Sequence, residues 1–303
     1  MIKWIHMITL EDIMDTFSTF SYTKNNLSLM PSRPQKSNKG TFGRVLCICG
    51  SHGMAGAAYF VAKSALRTGA GLVEILTPEC NRNVLQTLLP EAIVTSYDYE
   101  NVSDEIIDSA LSRATAVVCG CGIGINSTSR KLLARLLRSC EKPTVLDADA
   151  LNLLSRNPSL LKYAEGKIIT PHPAEMSRLT GKDISEITES IPTECRELAK
   201  KYSLTCVLKD HNTAVSDGSD RVYVNTSGNN GMATAGSGDV LAGIIGGILS
   251  QNRENALTNL QAASLGVYIH GLAGDAAALT VGEYSLIASD IIDALPRVLS
   301  SIK

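Results

Sequence analysis

The sequence predicts an α/β protein built on a mostly parallel central sheet with helices on both faces. Three observations carry that expectation. Short β-rich runs alternate with stretches of helical length and period. The strand runs are apolar throughout rather than alternating, as strands covered on both faces are. Glycine-rich or acidic segments follow several of these runs directly, at the strand ends where open α/β sheets bind ligands.

Residues 1–38 read as an N-terminal arm. Met1–Phe20 is apolar but interrupted by Lys3, His6, Glu11, Asp12 and Asp15, so it lacks the compact apolar core of a signal peptide. Ser21–Asn38 is polar, holds Pro31 and Pro34, and suits a loop. The regular pattern begins at Lys39. Strands are predicted at Arg44–Cys49, Leu72–Leu76, Ala116–Cys119, Thr144–Leu146, Lys167–Thr170, Cys206–Leu208, Thr213–Ser216 and Arg221–Asn225. Helices are predicted at Gly56–Thr68, Ser127–Ser139, Pro173–Leu179 and Thr193–Tyr202. The last two strands are separated only by Asp217-Gly218-Ser219-Asp220 and read as a hairpin. From Gly238 onward the pattern is helical. No linker or repeat appears, so residues 39–303 read as a single domain.

Bulk composition narrows the function. The chain has 303 residues, 44% hydrophobic, and a formal net charge of −2. No basic excess is present to hold a phosphate backbone, so nucleic acid is not an expected partner. The glycine-broken run Val240–Leu249 is too short to span a bilayer, so a membrane is not expected and a cytoplasmic location is. Eight cysteines contain no C-x-x-C pair, and Cys47/Cys49 and Cys119/Cys121 sit within or at the end of strand runs. They read as reduced core thiols.

The strongest chemical signal lies in Asn229–Asp239. Its small residues and glycines let backbone N–H groups approach an anion, with Gly236, Ser237 and Gly238 as the anion hole. The following helix adds unpaired N–H groups and the positive end of its dipole. Asp239, in the first turn, is either a helix cap or a base that takes a hydroxyl proton during phosphoryl transfer. The helix holds Gly243, Gly246 and Gly247, each destabilising by roughly 0.8–1 kcal/mol relative to alanine, which points to close backbone packing.

The other segments are weaker singly. Gly50–Ala58 and Gly120–Gly124 are glycine loops after strands, compatible with ligand approach or with tight turns. Asp147 and Asp149 can hold Mg2+ through water or cap the next helix. His172, in Thr170–Glu175, is a ligand contact or a residue of the helix start. Lys209 can reach a phosphate or stay solvated. The stretch His270–Asp275 reads first as tight helix packing.

Taken in order, Lys39–Val45, Gly50–Ala58, Asp147–Asn152, Thr170–Glu175, Asn229–Gly243 and His270–Asp275 resemble the bacterial ADP-dependent NAD(P)H-hydrate dehydratases. The resemblance runs from about Leu29 to the C-terminus. It implies a three-layer α/β/α ribokinase-like fold, the stand-alone form without an epimerase domain, and often a homotetramer. It implies (6S)-NADHX or (6S)-NADPHX as substrate, with ADP (or ATP) as phosphoryl donor and Mg2+ as cofactor, giving AMP, phosphate and NAD(P)H. Asp239 then matches the base. Ala57, Gly124 and His172 match positions that contact the hydrate. Lys209, Asp210, His211, Asn212, Thr213 and Gly238 match the surroundings of the nucleotide. Asp210 departs from the family's usual glycine, as does Ala235, and Asn38 departs from a usual histidine. A vitamin-alcohol kinase of the same fold would share the Gly–Asp helix start. A non-catalytic nucleotide sensor is the rival from another class, and the retained Asp239 argues against it.

Overall fold

A computed structural model describes residues 17–252 and 256–302 of the chain. Among the described residues ten strands form one sheet. They are β1 (Ser18–Phe20), β2 (Arg44–Ile48), β3 (Leu72–Pro78), β4 (Ile93–Tyr97), β5 (Ala116–Cys119), β6 (Thr144–Leu146), β7 (Ile168–Ile169), β8 (Thr205–Leu208), β9 (Ala214–Ser216) and β10 (Arg221–Val224). Their order across the sheet is β1-β10-β9-β8-β7-β6-β5-β2-β3-β4. Every pair is parallel except β8–β9 and β9–β10; β9–β10 is the expected hairpin, and the antiparallel β8–β9 pair was not anticipated.

The sheet is covered on both faces. On one side lie α1 (Ala55–Thr68), α2 (Arg82–Leu88), α9 (Ser237–Gln251), α10 (Asn259–Val281) and α11 (Ala288–Leu299). On the other lie α3 (Asp104–Arg113), α4 (Ser127–Ser139), α5 (Asp149–Arg156), α6 (Pro173–Thr180), α7 (Ile184–Glu189) and α8 (Ile191–Tyr202). The strand period of two divides the core between these layers. Val45 and Cys47 face the first, whereas Leu46 and Ile48 face the second. This is the three-layer α/β/α architecture, and the apolar strands are continuous because both faces are buried.

Two parts differ from the expectation. β1 adds to the edge of the sheet beside β10, and a 3-10 turn at Lys24–Leu29 follows it, where the sequence suggested a polar loop. Tyr22 and Leu27 are buried there. Most of Met1–Phe20 lies outside the described residues. β4 and the helices α2, α3 and α7 were not anticipated either, and α5 only as the helix that Asp147 or Asp149 could cap. β4, the opposite edge strand, is only partly buried and carries Thr95 and Ser96, so it lacks an apolar run.

The topology fixes the binding crevice. From β2 the chain moves outward through β3 and β4, then crosses back to β5 and proceeds through β6, β7 and β8. Strand order therefore reverses between β2 and β5, and the loops leaving the carboxyl ends of β2, β5, β6, β7 and β8 crowd together. α9 packs above this switch. A Cβ on Gly246 would lie 2.4 Å from Val118 of β5, and one on Gly243 would lie 2.0 Å from the Ser64 hydroxyl of α1. The helix is buried all round from Val240 to Gln251, so its glycines mark close contacts on several sides rather than one face turned away from the core.

Candidate active site

Each strand at the switch delivers one part of the site. β5 ends at Cys119 and leads into Gly120–Gly124. β6 ends at Leu146 and delivers Asp147. β7 leads to Thr170 and His172, and β8 to Lys209. Asp147 is the hub. Its buried carboxylate accepts a 2.8 Å bond from Lys209 Nζ and a 2.7 Å bond from the Thr170 hydroxyl, both at Oδ1. The Cys121 thiol lies 3.6 Å from its Oδ2. Cys121, Asp147 and Asp239 offer side-chain atoms all within 4.8 Å of one another.

Asp239 occupies the first turn of α9. Gly236 is the cap residue, in the left-handed conformation at φ 88°, and no side chain caps the helix. Asp239 is thus no cap. Burial and the neighbouring Asp147 carboxylate push its pKa up to about 6, against the opposing pull of Cys121 and Lys209. Such a carboxylate is ionised at neutral pH yet binds a proton far more readily than an ordinary aspartate. The amides of Gly238 and Asp239 have no protein acceptor among the described residues, as the start of a helix leaves them. A Cβ on Gly238 would sit 3.4 Å from Lys209 Nζ and 3.8 Å from Asp147 Oδ2. The bare glycine therefore keeps the helix start, the cation and the buried acid in direct apposition.

Lys209 is not solvated. Burial lowers its pKa, but the Asp147 and Glu175 carboxylates more than offset this and hold it raised. Glu175 Oε2 lies 3.9 Å away and also accepts the His172 N–H at 2.9 Å, closing a capping box at the start of α6. Burial pushes Glu175 up to about 7, partly opposed by Lys209. His172 is a residue of the helix start, one of the two roles the sequence allowed. Its Nδ1 accepts from Ala174 N at 3.1 Å, which caps α6, and its ring lines a cleft of about 760 Å³. Burial and then Lys209 lower its pKa.

The cleft joins His172, Lys209, Asp210, His211, Thr213, Ser237 and Gly238. Its apolar walls come from Met232, Leu241 and Val267. Asn212 is not among its lining residues. Asp210 folds back on its own turn, with Oδ1 accepting from His211 N at 2.5 Å, while Thr213 Oγ1 donates to Asp210 O at 3.0 Å. Its backbone is outside the left-handed region, so an aspartate fits there without strain. Ala57 lies in the first turn of α1 and Gly124 in the loop that follows β5, both outside the cleft. A Cβ on Gly122 would touch the Ala57 Cβ at 2.9 Å, and Gly124 N donates to Asp149 Oδ2 at 2.8 Å. Asp149 therefore anchors a glycine loop and does not cap α5, whose cap position is Ala148 at φ 50°.

Sequence reasoning missed several partners. Cys121 was read as a core thiol, yet it stands beside both acids; all eight cysteines are free and Cys80 alone is exposed. Bonds to Cys49, then burial, hold the Cys121 thiol well above its ordinary pKa, so it stays protonated. Asn225 and Ser227 carried no signal. They form a network in which Tyr223 Oη donates to Asn225 Oδ1 at 2.9 Å and Ser227 Oγ donates to Tyr268 O at 3.1 Å. Adjacency of this kind depends on strand order, which local sequence does not display.

The sequence pattern of the NAD(P)H-hydrate dehydratase family matches residues 45–297. The bifunctional NAD(P)H-hydrate repair enzyme of Coxiella burnetii is 39% identical over 91% of this chain and 54% of its own length. The chain thus spans about half the length of the curated relatives it first matches. The ADP-dependent (S)-NAD(P)H-hydrate dehydratase of Neisseria meningitidis is 38% identical over 80% of each chain. Among solved structures, a ribokinase-like superfamily protein of Enterococcus faecalis aligns with TM-score 0.83 and 30% identity, covering 93% of this chain and 96% of that one. An ADP/ATP-dependent NAD(P)H-hydrate dehydratase of Bacillus subtilis, co-crystallised with ATP/Mg2+, aligns with TM-score 0.80 and 26% identity, covering 96% and 100%.

Proposed function

Because this chain belongs to the NAD(P)H-hydrate dehydratase family, with its ribokinase-like fold, we propose that it uses ADP to dehydrate (6S)-NADHX or (6S)-NADPHX. The observation that carries the mechanism is the apposition of Asp239, Lys209 and the open amide start of α9. Asp239 takes the proton of the hydrate hydroxyl. The hydroxyl oxygen attacks the terminal phosphoryl group of ADP, an O–P bond forms, and AMP leaves with the electrons of the broken P–O bond. Lys209 and the amides of Gly236, Gly238 and Asp239 balance charge on the transferring group, whereas the Ser237 N–H, which the sequence placed in the anion hole, donates to Thr234 O at 3.3 Å.

Phosphate is a far better leaving group than hydroxide. The ring nitrogen lone pair expels it from the neighbouring carbon, and loss of a proton from the next carbon restores the double bond. The hydrate side of the site consists of Ala57, Gly124 and His172. Its nucleotide side consists of Lys209, Asp210, His211, Asn212, Thr213 and Gly238; all of these but Asn212 line the open cleft, which supports their assignment.

Mg2+ fits this site only in company with phosphate. It demands oxygen ligands, which excludes the Cys121 thiol, and Asp147 offers only Oδ2, which the Cys121 thiol approaches at 3.6 Å, since Lys209 and Thr170 take Oδ1. When bound, the ion would neutralise phosphate charge, with Asp147 as the protein group that serves it.

A chain in which residues 39–303 form one catalytic domain, assembled as a cytoplasmic homotetramer, completes the proposal. Among the described residues no helix is long and apolar enough to cross a membrane. Exposed Leu279, Tyr284 and Ile287 support a subunit contact; light scattering of a monomer in solution would remove the tetramer. The activity is tested by supplying hydrated NADH with ADP and Mg2+ and following NADH absorbance. A rise that is abolished in D239N, with ADP binding retained, is the expected outcome. No rise, together with ATP-dependent phosphorylation of a thiazole alcohol, would replace the dehydratase by the vitamin-alcohol kinase.

A further inference from the structure

The stretch His270–Asp275 has no part in the chemistry above, yet its two polar side chains, His270 and Asp275, both bond to the segment that walls the cleft. On α10, residues 270, 271, 274 and 275 form one face, since 270/274 and 271/275 lie four apart and 271/274 three apart. That face lies against the segment 227–237. Asp275 Oδ2 accepts the Gly228 N–H at 3.0 Å, and its Oδ1 accepts from Asn229 Nδ2 at 3.1 Å. The loop rests directly on the helix. A Cβ on Gly271 would lie 2.2 Å from Ser227 Oγ, and one on Gly274 would lie 2.2 Å from Met232 Sδ. At the N-terminal end of the face, His270 Nε2 stands 3.3 Å from Ser237 Oγ.

We propose that this face of α10 is a positioning template for the nucleotide side of the cleft, with Asp275 and His270 as positioning residues that act through the loop and through Ser237. Asp275 holds Gly228 and Asn229, and so fixes the wall formed by Asn229, Asn230 and Met232. Two acceptor oxygens on one rigid helix set both the height and the tilt of that wall. Gly271 and Gly274 are the condition for the contact, since any side chain would lift the loop off the helix. His270 is held neutral by burial, with its pKa pushed down to about 4. In the tautomer that carries the proton on Nε2, the ring donates to Ser237 Oγ. The Ser237 hydroxyl proton is then free to point into the cleft, toward an anion at the helix start. The proposal rests on assigning the cleft to the adenine nucleotide.

Two readouts test it: titration of ADP by calorimetry, and hydrogen exchange of the Gly228–Met232 amides in the ligand-free protein. In D275A, ADP affinity falls by about tenfold or more, the scale of losing charge-assisted hydrogen bonds. The loop amides exchange faster while those of α10 stay protected. D275N recovers part of the affinity, because its amide oxygen still accepts the Gly228 N–H. H270A weakens ADP binding in the parent protein but adds nothing in an S237A background, since it acts through that hydroxyl. Unchanged loop exchange with ADP affinity within about twofold of the parent overturns the template. Should D275A fail to fold, unchanged affinity in D275N does the same. Additive effects of H270A and S237A overturn the role of His270. A parent protein that binds no ADP, while D275A still loosens the loop, overturns the nucleotide assignment and leaves the template standing.

Discussion

As the proposed base, Asp239 sets function against stability in one side chain. Its pKa is about 6 in the folded protein, whereas an unfolded aspartate titrates near 3.8. The native state therefore binds the proton more tightly than the unfolded state. Stability falls as pH rises from about 4 through 6 and is lowest, for this group, where the carboxylate is fully ionised. A neutral amide removes that penalty. D239N is expected to abolish turnover while stabilising the protein by about 1–2 kcal/mol at pH 7–8. The gain should vanish near pH 4, and denaturant unfolding at the two pH values checks it. The same titration makes kcat/KM of the parent enzyme fall below about pH 6, as the base becomes protonated; a profile flat down to pH 5 would remove Asp239 as the base.

Helix α9 is the element on which the site depends, and its sequence was informative for a physical reason. Three interior glycines weaken a helix, so their presence signalled close approach before any partner was known. The partners are α1 on one side and β5 on the other. G243A places a methyl group 2.0 Å from Ser64 Oγ and 2.3 Å from the Val61 carbonyl. It is expected to destabilise by about 3 kcal/mol. Gly56, in the first turn of α1, has nothing within 4 Å of its would-be Cβ. G56A is expected to stabilise by about 0.5–1 kcal/mol. Thermal melts of the two variants should move in opposite directions. Other elements were less legible. The apolar strands of the sheet centre stood out, but β4, at the edge, mixes Thr95 and Ser96 with apolar residues. The short helices α5 and α7 are too brief to express a period.

At the scale of the whole molecule, the N-terminal segment closes one edge of the sheet. Phe20, Tyr22, Tyr223 and Tyr268 form an aromatic cluster, with Tyr22 and Tyr223 centroids 4.9 Å apart. Tyr268 belongs to α10, so the cluster ties β1 to the helix that bears His270 and Asp275. Y22A is expected to destabilise the protein by about 3 kcal/mol, measured by denaturant unfolding.

The sequence by itself determined the layer architecture, because strand and helix periods and continuous apolar runs are local properties. It also singled out the glycine-rich start of α9 and the acid in its first turn, because glycine content and a first-turn acid are readable from adjacent residues. Only the tertiary structure decided that Lys209 neutralises Asp147 instead of reaching into solvent, that Cys121 stands beside two carboxylates, and that Asp275 pins the loop at Gly228. Those residues lie 62, 26 and 47 positions from the groups they touch. Their encounters follow from the reversal of strand order between β2 and β5 and from the docking of α10, and burial then shifts their protonation. Neither strand order nor burial is written in any short stretch of the chain.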